Sequence, residues 1–266
     1  MTDVLPPPDT SADPVPLVCG NCAASVAGAY CAACGQPAGR GRLTLRSVAT
    51  RMVADALDLN RGLFFTFLEL WRRPGGVARD YVRGRTVTYA NPVKYFLVMG
   101  ALTTLVYVQT GLAGRIAEQF AAGISAGSTG MIHPRAEAVV EVINSYFTLF
   151  LAFTLPSTAA ASRLAFRKAG YNYAEHLVFN TYIGAQQCVL IVLALVLSAA
   201  LGGDPQVVMQ WSIPAATALY VWAAVEFVGG ARTPAAVRAV VANVLSYVGF
   251  MLVSIVVGIV ALLALR

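Results

Sequence analysis

Charge is what this chain has least of. Asp, Glu, Lys and Arg make up 12% of its 266 residues, about half the share of an ordinary soluble domain. Histidine is nearly absent, at two residues, which leaves little for metal catalysis. The sequence holds neither a glycine-rich phosphate loop nor an H-E-x-x-H pair. It also lacks a basic stretch followed by an apolar run near Met1, so no cleavable signal is expected. Residues 1–16, proline-rich and carrying Asp3, Asp9 and Asp13, are expected to be a disordered tail. One hydrolase-like pattern occurs, Gly123-Ile-Ser125-Ala-Gly127. It lies in a Gly/Ala/Ser-rich stretch with only His133 nearby, without the strand before and helix after that a nucleophile elbow needs, and reads as a loop.

What fills the chain instead is apolar: 58% of its residues. That composition places it among all-α membrane proteins. Five apolar runs, near 93–112, 139–161, 177–201, 207–228 and 239–265, are each long enough to cross about 30 Å of hydrocarbon. The first opens on Asn91-Pro92, a helix N-cap followed by a first-turn proline. Pro156 and Pro214 fall inside the second and fourth runs. The 19 Lys and Arg residues are distributed unevenly over the intervening segments. With the N-terminus in the cytoplasm, all but Arg115, Arg135 and Arg266 lie on the cytoplasmic side, so a five-span chain is expected to end outside. The expected location is a bacterial inner membrane.

Between the cysteines and the first run, residues 43–91 read as juxtamembrane amphipathic helices. Leu45, Val48, Ala49, Met52, Val53 and Ala56 recur at helical spacing, with Arg46, Thr50, Arg51 and Asp55 opposite. Residues 63–71 are nearly all apolar but too short to span, and Arg72, Arg73 and Pro74-Gly75-Gly76 end them. Such a helix either lies at the headgroup boundary of an anionic membrane or packs under the bundle as core.

Four of the five cysteines form two C-x-x-C knuckles, Cys19 with Cys22 and Cys31 with Cys34, separated by eight residues. Two residues between cysteines let both sulfurs of a knuckle reach one tetrahedral ion, so 17–38 reads as a zinc ribbon holding one structural Zn2+. A closed four-cysteine sphere leaves no open position for catalysis. Disulfides are the competing reading, disfavoured by a reducing cytoplasm. So short a segment has almost no core, and the metal would supply most of its folding free energy.

The ribbon ends Tyr30-Cys31-Ala-Ala-Cys34-Gly35-Gln36. Arg61-Gly62, Thr66, Leu70, Pro74-Gly75, Tyr81, Gly84-Arg85, Tyr89 and Asn91-Pro92 follow in order before the first run, and Tyr173-Ala-Glu175-His176-Leu177-Val178-Phe179 comes later. This order resembles a large uncharacterised family of bacterial membrane proteins, a domain of unknown function with an N-terminal zinc ribbon. The resemblance implies membrane location and the ribbon, but no activity. Members of that family often carry further histidines after the last motif; Tyr182 and Gly184 stand in their place here, so a histidine-rich site does not carry over.

Within the apolar runs, Glu175, His176 and Glu226 are the candidate functional polar residues, because ionisable groups there are costly. Structural clamps would pair Glu175 with Arg167 or Lys168 and Glu226 with Arg238; the other reading is proton or substrate handling. Asn144, Asn180, Gln186, Gln187, Asn243 and Ser246 are expected to join helices, and Cys188 to pack in the interior. No catalytic residue is assigned. The leading expectation is a non-enzymatic membrane scaffold or accessory protein whose ribbon docks a protein partner, with the lipid bilayer as its surroundings and nucleic acid not expected as a ligand. The alternative is a small-molecule or lipid transporter with those polar residues at its cytoplasmic gate.

Overall fold

A computed structural model describes residues 17–38, 42–47, 62–110, 147–203 and 205–264. The expected tail at 1–16, most of the amphipathic segment at 48–56, the 123–127 loop with His133, Asn144 and the start of the second apolar run lie outside the described residues.

The described residues begin with a two-stranded antiparallel hairpin, β1 (Leu17–Val18) and β2 (Ser25–Val26), in which Leu17 faces Val26. Helices follow: α1 (Leu63–Arg72), α2 (Pro74–Val82), α3 (Pro92–Gln109), α4 (Phe147–Ala165), α5 (Tyr173–Ala200), α6 (Pro205–Val228) and α7 (Arg232–Ala264). The last five lie where the five apolar runs were read. Among the described residues two stretches, Tyr173–Ala200 and Gln210–Val228, rather than the five expected, are long and apolar enough to cross a membrane.

The start of α3 follows the sequence closely. Asn91 accepts a hydrogen bond from the Val93 N–H at 3.0 Å, and Pro92 occupies the first turn. Helices α4 and α6 run on through Pro156 and Pro214. At Pro74-Gly75-Gly76 the expectation needs correction. The motif does end α1, but it also opens α2, with Pro74 in the first turn where its missing N–H leaves no bond unmade.

Helix α5 is the hub, packed against α2, α3, α4 and α6, while α7 packs on α4 and α6. The first half of α5 is buried almost throughout, with Val178, Phe179, Tyr182 and Ile183 set among Leu70, Val77, Tyr81, Tyr95 and Phe227. Outside that core the long helices turn large apolar side chains outward: Leu105 and Val108 on α3, Val196 and Leu197 on α5, Trp211 on α6, and Val237, Val241, Val244 and Val248 on α7. The polar residues expected to join helices largely do so. Asn180 Nδ2 donates to Ser162 Oγ at 2.8 Å, and Tyr95 OH to Gln186 Oε1 at 2.9 Å. Gln187 Nε2 donates to Ala216 O at 3.3 Å, and Asn243 Nδ2 to Thr217 Oγ1 at 2.9 Å. Ser246 instead bonds back to Ala242 O within α7, and Cys188 is a buried free thiol.

Candidate metal centre and its attachment to the helices

Both knuckles use one backbone design. Cys19 N donates to Ala24 O and Ala23 N to Cys19 O; twelve positions on, Cys31 N donates to Gln36 O and Gly35 N to Cys31 O, all between 2.8 and 2.9 Å. Each turn closes through a residue in the left-handed region, Gly35 at φ 73° and Ala23 at φ 60°. Glycine adopts that conformation freely, and alanine does so at a cost of about 1 kcal/mol.

The two knuckles face each other. Cys19 Sγ lies 3.6 Å from Cys34 Sγ and Cys22 Sγ 3.5 Å from Cys31 Sγ, and all four sulfurs fall within 4.8 Å of one another. Zn–S bonds of about 2.3 Å place sulfurs at tetrahedral corners about 3.8 Å apart, whereas a disulfide needs about 2.05 Å. The spacing therefore fits a four-sulfur metal ion, and the cysteines are unbonded to one another. The thiols are unequal. Backbone N–H groups of Cys22 and Asn21 aimed at Cys19 pull its pKa down to about 6. At Cys22 the Ala24 N–H pulls the same way, but the neighbouring Cys31 and Cys34 sulfurs prevail and push the thiol up to about 12. Four thiolates this close repel one another unless a cation sits among them.

The ribbon is fastened to the helices by the two knuckles themselves. From the first, Asn21 Oδ1 accepts from Thr88 N at 3.2 Å and Thr88 Oγ1 at 2.8 Å. Beside the second, buried Gln36 accepts through Oε1 from Thr86 N and Thr86 Oγ1, both at 3.4 Å. Thr86 and Thr88 lie two apart in the turn that joins α2 to α3, and each offers both its N–H and its hydroxyl to one of the two amide oxygens. These amide contacts were not anticipated. The one available signal was an alternating Thr-x-Thr placed after a glycine turn.

Glu175 is buried at the start of α5, where the structure replaces the expected partners. Arg167 and Lys168 do not pair with it; Arg42, just after the ribbon, does. Arg42 Nε and Nη2 each reach the carboxylate at 2.8 Å, and Nη2 also donates to Gly170 O. The same carboxylate accepts from Asn172 N at 2.6 Å while Asn172 Oδ1 accepts from Glu175 N at 2.9 Å, a reciprocal capping box. Asn172 Nδ2 donates to Leu43 O at 2.9 Å. The chain leaving the ribbon is thus tied to the first turn of α5. The signature Asn172-x-x-Glu175 was present in the sequence; the partner 133 positions earlier was not legible there.

Glu226 also differs from its expected pairing. Its carboxylate accepts the Gly75 N–H at 3.0 Å rather than pairing with Arg238, serving as a cap supplied by α6 for the N–H groups that open α2 without a partner inside that helix. Only glycine permits this. A Cβ at Gly75 would lie 2.0 Å from Ala223 O and 2.5 Å from Phe227 N.

His176 is fully buried. Its Nδ1 lies 3.0 Å from Ser162 Oγ, and its ring meets Tyr171 and Phe227 edge-on. Its Nε2, together with Gln186 Nε2 and Tyr220 OH, is buried with no hydrogen-bond partner among the described residues. The three candidate polar residues bond to different parts of the fold: Glu175 holds Arg42, Glu226 holds α2, and His176 meets Ser162 of α4.

An ion-pair cluster secures the corner between α1 and α2. Arg73 reaches Glu69 at 2.7 Å, Asp80 at 3.1 Å and Tyr89 OH at 2.7 Å, and Tyr89 OH donates to Asp80 at 3.1 Å. Burial raises the Tyr89 phenol to about 12, keeping it a donor at neutral pH. No curated protein and no solved structure matches the chain. Residues 60–104, which include α1, α2 and the larger part of α3, match a family described as "Protein of unknown function (DUF3667)".

Proposed function

We propose that this chain is a multi-pass protein of a bacterial cytoplasmic membrane and a non-enzymatic scaffold or accessory protein. In this reading α3 to α7 all span, the N-terminus is cytoplasmic, the C-terminus is outside, and a zinc-held ribbon presents a docking surface for a protein partner. The apolar side chains turned outward on the long helices support the five-span reading, because a water-soluble chain would bury them. The uneven spread of Lys and Arg supports the orientation.

The single observation that carries the scaffold reading is the fixed ribbon. Asn21 and Gln36 hold one face of it on the helices, while Val18 and Tyr30 remain 68% and 66% exposed. A rigid module with exposed apolar side chains suits recognition of a partner better than chemistry. The transporter reading draws on a different observation, the unpartnered buried atoms of His176, Gln186 and Tyr220. The two separate experimentally. A photo-crosslinking residue at Tyr30 should give one adduct of defined mass in intact cells, abolished by Cys31→Ser and unaffected by His176→Phe. Absence of any adduct, with His176→Phe abolishing uptake or export of a solute in a correctly folded chain, would favour transport.

A further inference from the structure

Helix α1 divides cleanly. Thr66 and Leu70 are buried, and Thr66 Oγ1 accepts the Ala90 N–H at 2.8 Å. On the other side, Phe64 is 74% exposed, Phe65 and Leu68 are 45% exposed each, and the Arg72 side chain is 79% exposed. Phe64, Leu68 and Arg72 stand four residues apart, so they form one stripe along the helix. Glu69, the acidic residue of α1, is shared: Arg73 holds its carboxylate at 2.7 Å and Arg72 reaches it more loosely at 3.7 Å. Two cations thus face one carboxylate, and the exposed Arg72 carries the net positive charge beside that apolar stripe.

Where this stripe sits along the bundle follows from its anchors. Ala90, which Thr66 holds, precedes the Asn91 cap of α3, and its carbonyl accepts from Tyr182 OH at 2.5 Å. Phe65 stacks on Tyr89 with ring centroids 5.9 Å apart. Helix α1 is therefore level with the entry of α3 and apolar toward the outside, with the exposed Arg72 guanidinium at its C-terminal end.

We propose that the Phe64–Phe65–Leu68 face, with Arg72, is a binding surface for anionic phospholipid, inserted at the headgroup boundary on the cytoplasmic side. The proposal rests on the membrane-spanning reading above and adds a lipid class to it. Aromatic rings enter the upper acyl region while the guanidinium meets phosphate, the arrangement of interfacial helices. One cation at such a boundary shifts partitioning roughly fivefold toward anionic lipid.

Single-tryptophan chains test this, with Trp71, Trp211 and Trp222 replaced by Phe and one reporter introduced by Phe64→Trp or Leu193→Trp. Each is reconstituted in phosphatidylcholine vesicles with or without phosphatidylglycerol, using lipids brominated near either end of the acyl chain. The Phe64→Trp emission should be blue-shifted and lose most of its intensity to shallow bromines. Adding Arg72→Glu should weaken that quenching in phosphatidylglycerol vesicles and leave it unchanged in phosphatidylcholine alone. Leu193, half-exposed on α5, should be quenched by deep bromines. A water-like, unquenched Phe64→Trp beside a quenched Leu193→Trp would overturn the lipid surface and spare the spans. A blue shift that depended on protein concentration, without bromine quenching, would assign the face to a second copy of the chain and overturn it likewise. Failure of the Leu193→Trp reporter to be quenched would sink the membrane reading itself.

Discussion

At the residue scale the structure turns on positions where one atom more would not fit. Gly75 is the sharpest case, because its missing side chain lets the backbone of α2 rest on the backbone of α6 and brings its N–H to the Glu226 carboxylate. Gly75→Ala should destabilise the protein by about 3 kcal/mol, the upper end of overpacking costs, since the obstruction is backbone and cannot rotate away. Gly28→Ala, with no atom within 4 Å of the new methyl, should leave the melting temperature within error. A thermal melt of the two variants in one detergent checks both; equal melting temperatures would show that α2 and α6 do not meet as described. Read as sequence, Pro74-Gly75-Gly76 looked only like a stop. The pattern is the same for a terminator and for a close contact, and what separates them is the Glu226 cap 151 positions away.

At the element scale local chemistry was legible and its distant partners were not. The Asn91-Pro92 start of α3, the two cysteine knuckles and the short aromatic α1 could all be read from neighbouring residues, because caps, turns and metal-ligand spacing are short-range rules. The start of α5 shows the limit. Asn172 and Glu175 cap each other locally, yet the same carboxylate also receives Arg42 and the same amide holds Leu43. The nearby cations Arg167 and Lys168 were the natural partners on distance along the chain, and tertiary packing chose otherwise. Asn172→Ala should cost about 1 kcal/mol through the lost cap and should also loosen the Arg42 segment. Limited trypsin digestion should then cleave after Arg42 faster than in the parent protein. Unchanged cleavage would mean that Arg42 is held independently of the capping box.

At the scale of the whole molecule, three bodies that look separate in the sequence are joined: a cysteine ribbon, a short helical corner and a set of long apolar helices. The ribbon meets the α2–α3 segment through Asn21 and Gln36, and its exit chain meets α5 through Arg42. If four thiolates and an ion fold the ribbon, then metal occupancy must also order the segment it grips. Hydrogen exchange of the purified chain, before and after the metal is stripped with a chelator, measures this directly. The account predicts bound metal in the purified protein and, on its removal, faster exchange both within 17–38 and at the Thr86 and Thr88 amides, with the core of α5 unchanged. A ribbon that loses its metal while Thr86 and Thr88 exchange as slowly as before would contradict it.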